Sequence, residues 1–154
     1  MGVNTDGSIM FGVVCPGDAE LPWETDEYDY IDEWWAEVKG YVPKWEPFTK
    51  DGEWAEGFDE NDPRRDEEYE RKREWLAENP VPVSPENYCS QNVPMYVLAV
   101  PGTVLTCRRG YPETIDPSLM VVDSEQVRAL MDFLERYEIE SDGIPRWLLT
   151  SYWG

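Results

Sequence analysis

The stretch Met95–Gly110, MYVLAVPGTVLTCRRG, decides the fold. Its two runs rich in Val, Leu and Thr read as β-strands on either side of Pro101-Gly102, a turn signal. The reading is a hairpin, although a type II Pro-Gly turn splays its strands more than the primed turns do. Working outward, Ser8–Val14 (SIMFGVV) predicts another strand, ended by Cys15-Pro16-Gly17. Leu119–Val122 suggests a further short one. The ending RWLLTSYWG alternates Trp147, Leu149 and Trp153 with Leu148 and Tyr152, which reads as a docked strand.

Helical signals lie between these runs. Ile31, Trp34, Trp35 and Val38 follow the i, i+3, i+4, i+7 rule, predicting a helix over about 27–38 with both tryptophans on a buried stripe. Asp26 is the expected N-cap and Gly40 the stop. Asp62-Pro63 opens a second helix running to Asn79, with Glu67–Arg71 and Glu68–Lys72 as i,i+4 pairs on a largely solvated surface. Ser124 caps a third, whose stripe is Val127, Leu130, Met131, Leu134 and Tyr137. The segment 79–94 reads as a Pro-rich connector, and 41–61 as a long loop. The expected class is α+β: a small antiparallel or mixed sheet of three to five strands with about three helices, in a single domain over 1–154.

Length and composition agree with a folded chain. A chain of 154 residues can bury roughly 70% of its unfolded surface. Disordered chains are poor in aromatics, whereas this one has eight Trp, nine Tyr and four Phe. The three cysteines are an odd number without C-x-x-C spacing, and read as reduced, buried thiols. No apolar run approaches the roughly 20 residues of a membrane span, and the N-terminus lacks the pattern of a secretion signal.

Charge is the outstanding feature. There are 33 acidic and 13 basic residues, for a formal net charge of −20. That excludes nonspecific binding to nucleic acid or to anionic membranes, and favours attraction to cationic surfaces. From Asp18 to Glu37 there are nine carboxylates and no Lys or Arg. The dipole of the expected helix accounts for the first few acids. It does not account for Asp32, Glu33 and Glu37, which have no basic residue at i±3 or i±4. The candidate contact residues are therefore Glu20, Glu24, Asp26, Glu27, Asp29, Asp32, Glu33 and Glu37, facing a basic protein or nucleoprotein complex. Arg108-Arg109 is the basic doublet of the C-terminal half; charges on an exposed strand explain it more simply than an anion site.

Catalytic motifs are missing. The chain has no histidine, which removes Ser-His-Asp and Cys-His nucleophile systems and zinc sites that need imidazole. Neither phosphate-binding glycine motif occurs. Asp59–Glu70 (DENDPRRDEEYE) resembles a calcium loop at its first, third and twelfth positions, but Arg64 stands where the sharp-turn glycine belongs. The sequence predicts no catalytic residue, no cofactor and no metal ligand set. The enzymatic alternative is a carboxylate-based or metal-dependent hydrolase.

The segments LPWET, EWWAEVKGY, NPVPV, NYCS, PMYVLAVPGT, RRGYPE and PRWLLTSYWG together resemble a family of small acidic proteins of tailed bacteriophages and prophages. The resemblance spans nearly the whole chain, and the SYWG ending is its most specific part. It implies expression in a host bacterial cytoplasm and implies no catalytic residue. With the charge, it leads to the expectation of a non-enzymatic inhibitor whose acidic surface blocks a basic, nucleic-acid-binding site on a host protein, such as a CRISPR or other defence complex. The alternative is a phage accessory protein in assembly or host metabolism, whose acidity serves solubility alone.

Overall fold

The sheet is organised around β1 (Thr5–Val14), the first element of a computed structural model that describes residues 5–153. One edge of β1 pairs antiparallel with the last strand, from Thr5 opposite Trp153 to Gly12 opposite Arg146. Its other edge takes two strands in succession: β3 (Pro94–Ala99) against Gly12–Val14, and β4 (Leu105–Cys107) against Gly7–Ile9. The expected Pro-Gly hairpin is therefore corrected. β3 and β4 point the same way along one edge, with Val100–Val104 bulged opposite Met10 and Phe11. The bulge is stitched down at Phe11, whose carbonyl accepts from the Val100 amide at 2.8 Å. The Phe11 amide donates to the Thr103 hydroxyl at 3.1 Å, so a side chain replaces a ladder bond there.

The segment 79–94 is more than a connector. It contains β2 (Ser84–Ser90), which forms a true hairpin with β3, from Ser84 opposite Ala99 to Cys89 opposite Pro94. Pro85 hid it, and is tolerated because it lies near the strand's start. β2 also pairs parallel with β5 (Arg146–Trp153) at Cys89–Tyr152 and Ser90–Trp153. The order is β3-β2-β5-β1-β4, and the added β3–β1 pairing closes the ring. Cys89, where β2 changes partner, has a left-handed φ of 75°.

Met10, Val97 and Ala99 form the centre of this sheet's core, with Val14, Tyr88, Val104 and Leu148 packed against them. The expected docked terminal strand is thus present as β5. Gly12 is required where β1 meets β3, because a Cβ there would lie 2.3 Å from the Leu98 carbonyl oxygen. Of the thiols expected to be buried, Cys15 is; Cys89 is exposed and Cys107 half-buried. Burial, then the charge of Asp142, raises the Cys15 thiol to about 11.

Helix α3 (Ser124–Arg136) buries Leu130, Phe133 and Leu134. Its N-cap is Asp123 rather than Ser124, the carboxylate accepting from the Glu125 amide at 2.8 Å. At the other end Glu138 takes φ 53°, and the Ile139 amide returns to Leu134 at 2.9 Å. The short strand expected at Leu119–Val122 is absent. Asp116 caps a 3-10 turn over Pro117–Leu119 through the Ser118 amide and hydroxyl, leaving Leu119 and Val121 exposed.

These strands and α3 belong to one of two compact units, made of the chain up to Glu24 together with that from Pro82 onward. The other unit, Thr25–Val81, contains α1 (Ile31–Val38) and α2 (Pro63–Glu78). Between the helices runs the expected loop, pinched where Phe48 bridges to Trp54 with ring centroids 4.6 Å apart. Among the described residues there are three α-helices and one mixed sheet of five strands, the α+β class expected from the sequence. No helix among them is long and apolar enough to cross a membrane.

Candidate functional site

The acidic segment is built on α1. Trp34 and Trp35 are both buried, as the periodicity predicts, with ring centroids 6.2 Å apart. The Trp35 indole donates to the Asn79 carbonyl at the end of α2 at 2.9 Å, anchoring the two helices to each other. Gly40 at φ 78° ends α1 in a Schellman motif, the Tyr41 amide reaching Ala36 and the Gly40 amide reaching Glu37.

The helix begins later than expected. Tyr30 is the N-cap position and makes no side-chain cap bond, so Asp26 is not the cap. Thr25–Tyr30 is a run of turns held by side chains. The Thr25 hydroxyl accepts from the Glu27 amide at 3.3 Å. The Glu33 carboxylate reaches back to the Asp29 amide at 3.0 Å, in the manner of a capping box. The Tyr28 hydroxyl donates to Glu37 at 2.9 Å, and that bond raises the phenol's pKa.

The eight candidate residues therefore divide. Asp26, Glu27, Asp29, Asp32 and Glu37 are exposed and Glu33 is half-buried, all in the second unit. Glu20 and Glu24 are exposed in the first unit. There Glu24 bonds to the Tyr96 phenol, which is pushed up to about 12 by burial first and by that bond second.

The basic neighbours that α1 lacks in sequence are supplied by α2. Tyr30, Asp32 and Glu33 share a groove of about 420 Å³ with Tyr69, Lys72, Arg73 and Leu76. Asp32 and Glu33 thus share a groove with two cations, whereas Asp26, Glu27 and Asp29 do not line it. Tyr30 and Tyr69 are strongly exposed at 73% and 67%.

One carboxylate has a part that the sequence pattern hid. Glu68, read as the partner of Lys72 on a solvated helix, is buried. It accepts from the Tyr41 hydroxyl, from the Lys44 and Trp45 amides at 2.9 and 3.1 Å, and from Arg71 at 3.0 Å. Glu67 pairs with Lys44 at 2.8 Å instead of with Arg71. The clustered tyrosine and tryptophan of Tyr41–Trp45 were the only sequence sign that this loop is docked. Arg64 completes the arrangement, bound to Asp62 and stacked over Phe58 at 4.0 Å and Trp45 at 5.5 Å.

In the Asp59–Glu70 run, Asp62 is a helix cap that accepts from the Arg64 amide at 2.9 Å, and Asp59 accepts from the Asn61 amide at 2.8 Å. These are turn and cap geometries. Among the described residues no three Cys, Asp or Glu side chains are gathered as a metal site. No protein-family model, curated protein or solved structure matches the chain.

Proposed function

We propose that this is a non-enzymatic, phage-encoded inhibitor that acts in the host bacterial cytoplasm. Its acidic segment occupies a basic, nucleic-acid-binding site on a host protein, such as a CRISPR or other defence complex. The observation that carries this reading is the set of exposed carboxylates Asp26, Glu27, Asp29, Asp32 and Glu37, on a segment fixed in place by buried Trp34 and Trp35. On α1 itself Glu33 and Glu37 stand at i,i+4, a spacing of about 5–6 Å that is comparable with charge separations along a nucleic-acid backbone. Asp26, Glu27 and Asp29 extend the acidic array through the turns before the helix. The hydrogen bonds that already order Thr25–Tyr30 reduce the conformational entropy to be lost on binding.

The test is a pull-down from bacterial lysate, with and without nuclease, followed by competition. The reading expects a retained basic protein that survives nuclease treatment and is released by added DNA or by salt. Retention through nucleic acid alone, or no release by DNA, counts against it.

A second reading, an accessory protein whose acidity serves solubility, has its own support. Lys72 and Arg73 share the groove of Asp32 and Glu33, and Glu33 and Glu37 are engaged in local hydrogen bonds. Under that reading the lysate yields no DNA-competed partner.

A further inference from the structure

The outer face of the sheet in the first unit carries a feature that the acidic segment does not explain. Ile9 on β1 stands opposite Leu105 on β4 and Leu149 on β5. Directly opposed residues share a face and neighbours along a strand alternate. Met10 and its partner Leu148 therefore enter the core, while Leu105, Ile9 and Leu149 form an apolar row facing out. The row is open: Leu149 is 79% exposed and Leu105 39%.

Two cavities flank this row, of about 280 and 180 Å³, and both are lined by Ile9, Leu105 and Ile115. They are two ends of one groove, walled by the segment that follows β4. Gly7 lies in the lining of the larger one, and a Cβ there would meet nothing nearer than the Thr150 carbonyl oxygen at 4.0 Å. The sheet leaves that space open without any packing need.

The charged residues lining the two cavities are Glu113 and Asp116, both acidic. Asp116 is held as a carboxylate by the Ser118 hydroxyl and amide. Exposed apolar patches on a soluble chain mark contact sites. A second copy is disfavoured as the occupant, because each copy brings a net charge of −20.

We infer that this groove docks a segment of a partner protein that presents bulky apolar side chains beside Lys or Arg. The apolar side chains cover the row of Leu105, Ile9 and Leu149, and the basic ones meet Glu113 and Asp116. The inference concerns a different unit from the acidic helix and stands whether or not that helix has a partner.

The test uses the full chain and three labelled peptides of equal length, alternating Leu-Lys, Ser-Lys and Leu-Glu. Binding is followed by fluorescence anisotropy and mapped by methyl chemical shifts. The Leu-Lys peptide is expected to bind best, shifting Ile9, Leu105, Ile115 and Leu149. Gly7→Val, which fills the groove, and Leu149→Ser, at an exposed position, are each expected to weaken it by roughly tenfold, the cost of one lost anchor. Thermal unfolding of both variants confirms that they fold, and Leu149→Ser alone decides if Gly7→Val does not. The proposal is overturned by equal binding of the Ser-Lys or Leu-Glu peptide, by no binding of Leu-Lys, by shifts mapping elsewhere, or by folded variants that bind unchanged. Self-association that Leu149→Ser abolishes would overturn it in favour of a second copy.

Discussion

The Glu68 carboxylate accepts the Lys44 backbone amide at 2.9 Å, joining the middle of α2 to a loop 24 residues earlier. The same oxygen takes the Trp45 amide and Arg71, so one buried oxygen organises a loop that otherwise has little regular structure. Glu68→Gln replaces one acceptor with a donor and removes the charge facing Arg71. The expected loss is about 2–3 kcal/mol, from charge-assisted bonds broken in a buried setting. Glu67→Gln, at an exposed neighbour, should leave urea unfolding nearly unchanged. Equal unfolding curves for both variants would show that the loop is held by other contacts.

The pH dependence follows from the same groups. Burial pushes the Glu68 carboxyl up, but bonds from Tyr41, Trp45 and Lys44 and the charge of Arg71 outweigh it, leaving its pKa below the ordinary value. Asp62 is lowered to about 2, chiefly by its side-chain bond with Arg64. Groups with lowered pKa values stabilise fully above the unfolded value, about 4 for these acids, and that stability is lost as pH falls through the folded value. Tyr41 is raised to about 12, by burial first and then by Glu68. Its sign is opposite: stability is present below the unfolded value of about 10 and is lost as pH rises through about 12. Urea unfolding should therefore show stability falling progressively as pH is lowered below about 4. Tyrosinate absorbance in alkali should show phenols in the native protein titrating later than in urea.

Gly12 and Gly7 lie on the same strand and face opposite demands. At Gly12 a Cβ meets backbone at 2.3 Å, which no side-chain motion relieves, whereas at Gly7 the nearest atom is 4.0 Å away. Gly12→Ala should cost roughly 3 kcal/mol or more by forcing β1 and β3 apart. Gly7→Ala should be neutral or slightly stabilising. Chemical denaturation of the pair measures the contrast, and similar midpoints would count against the close approach of the two strands.

Local pattern showed part of this in the sequence, and long-range pairing accounts for what it did not. The tryptophan stripe of α1, the Asp62-Pro63 start of α2 and the terminal strand are local signals, and the structure has all three. β2 was invisible because prolines mask a strand whose register is set by β3. The Pro101-Gly102 turn read as a hairpin because nothing local shows that β1 runs past both flanking strands. For the site, the acidity was legible and its supports were not. The bonds from Glu33 to Asp29 and from Tyr28 to Glu37 depend on where the helix starts, which was misplaced by the Asp26 cap.

β5 forms the longest run of pairing with β1, covering Thr5–Gly12, and places Leu148 against the core. Truncation at Arg146 should expose one edge of β1 along that whole run and open the ring. The expected product is insoluble, or retains far-ultraviolet circular dichroism while losing the near-ultraviolet signal. A truncated chain with unchanged thermal unfolding would show that β5 is dispensable.

The supports of the acidic segment decide how its proposed role should be tested. Reversing Glu33 or Glu37 would break bonds that hold Thr25–Tyr30, mixing a structural effect with an electrostatic one. Asp26, Glu27, Asp29 and Asp32 are exposed, and changing all four to Lys alters the field while leaving those side-chain bonds in place. The matched control is the same change at Glu125, Asp132, Glu135 and Glu140, exposed acids of the other unit. If the acidic segment meets a basic groove, association of the native chain should slow as salt rises, since screening shortens the field to about 8 Å at physiological ionic strength. The first quadruple variant should abolish inhibition and the control should retain most of it, although both change net charge equally. Equal loss in the two variants would mean that overall charge alone draws the partner. No loss in either would reduce the acidic segment to a solvated face.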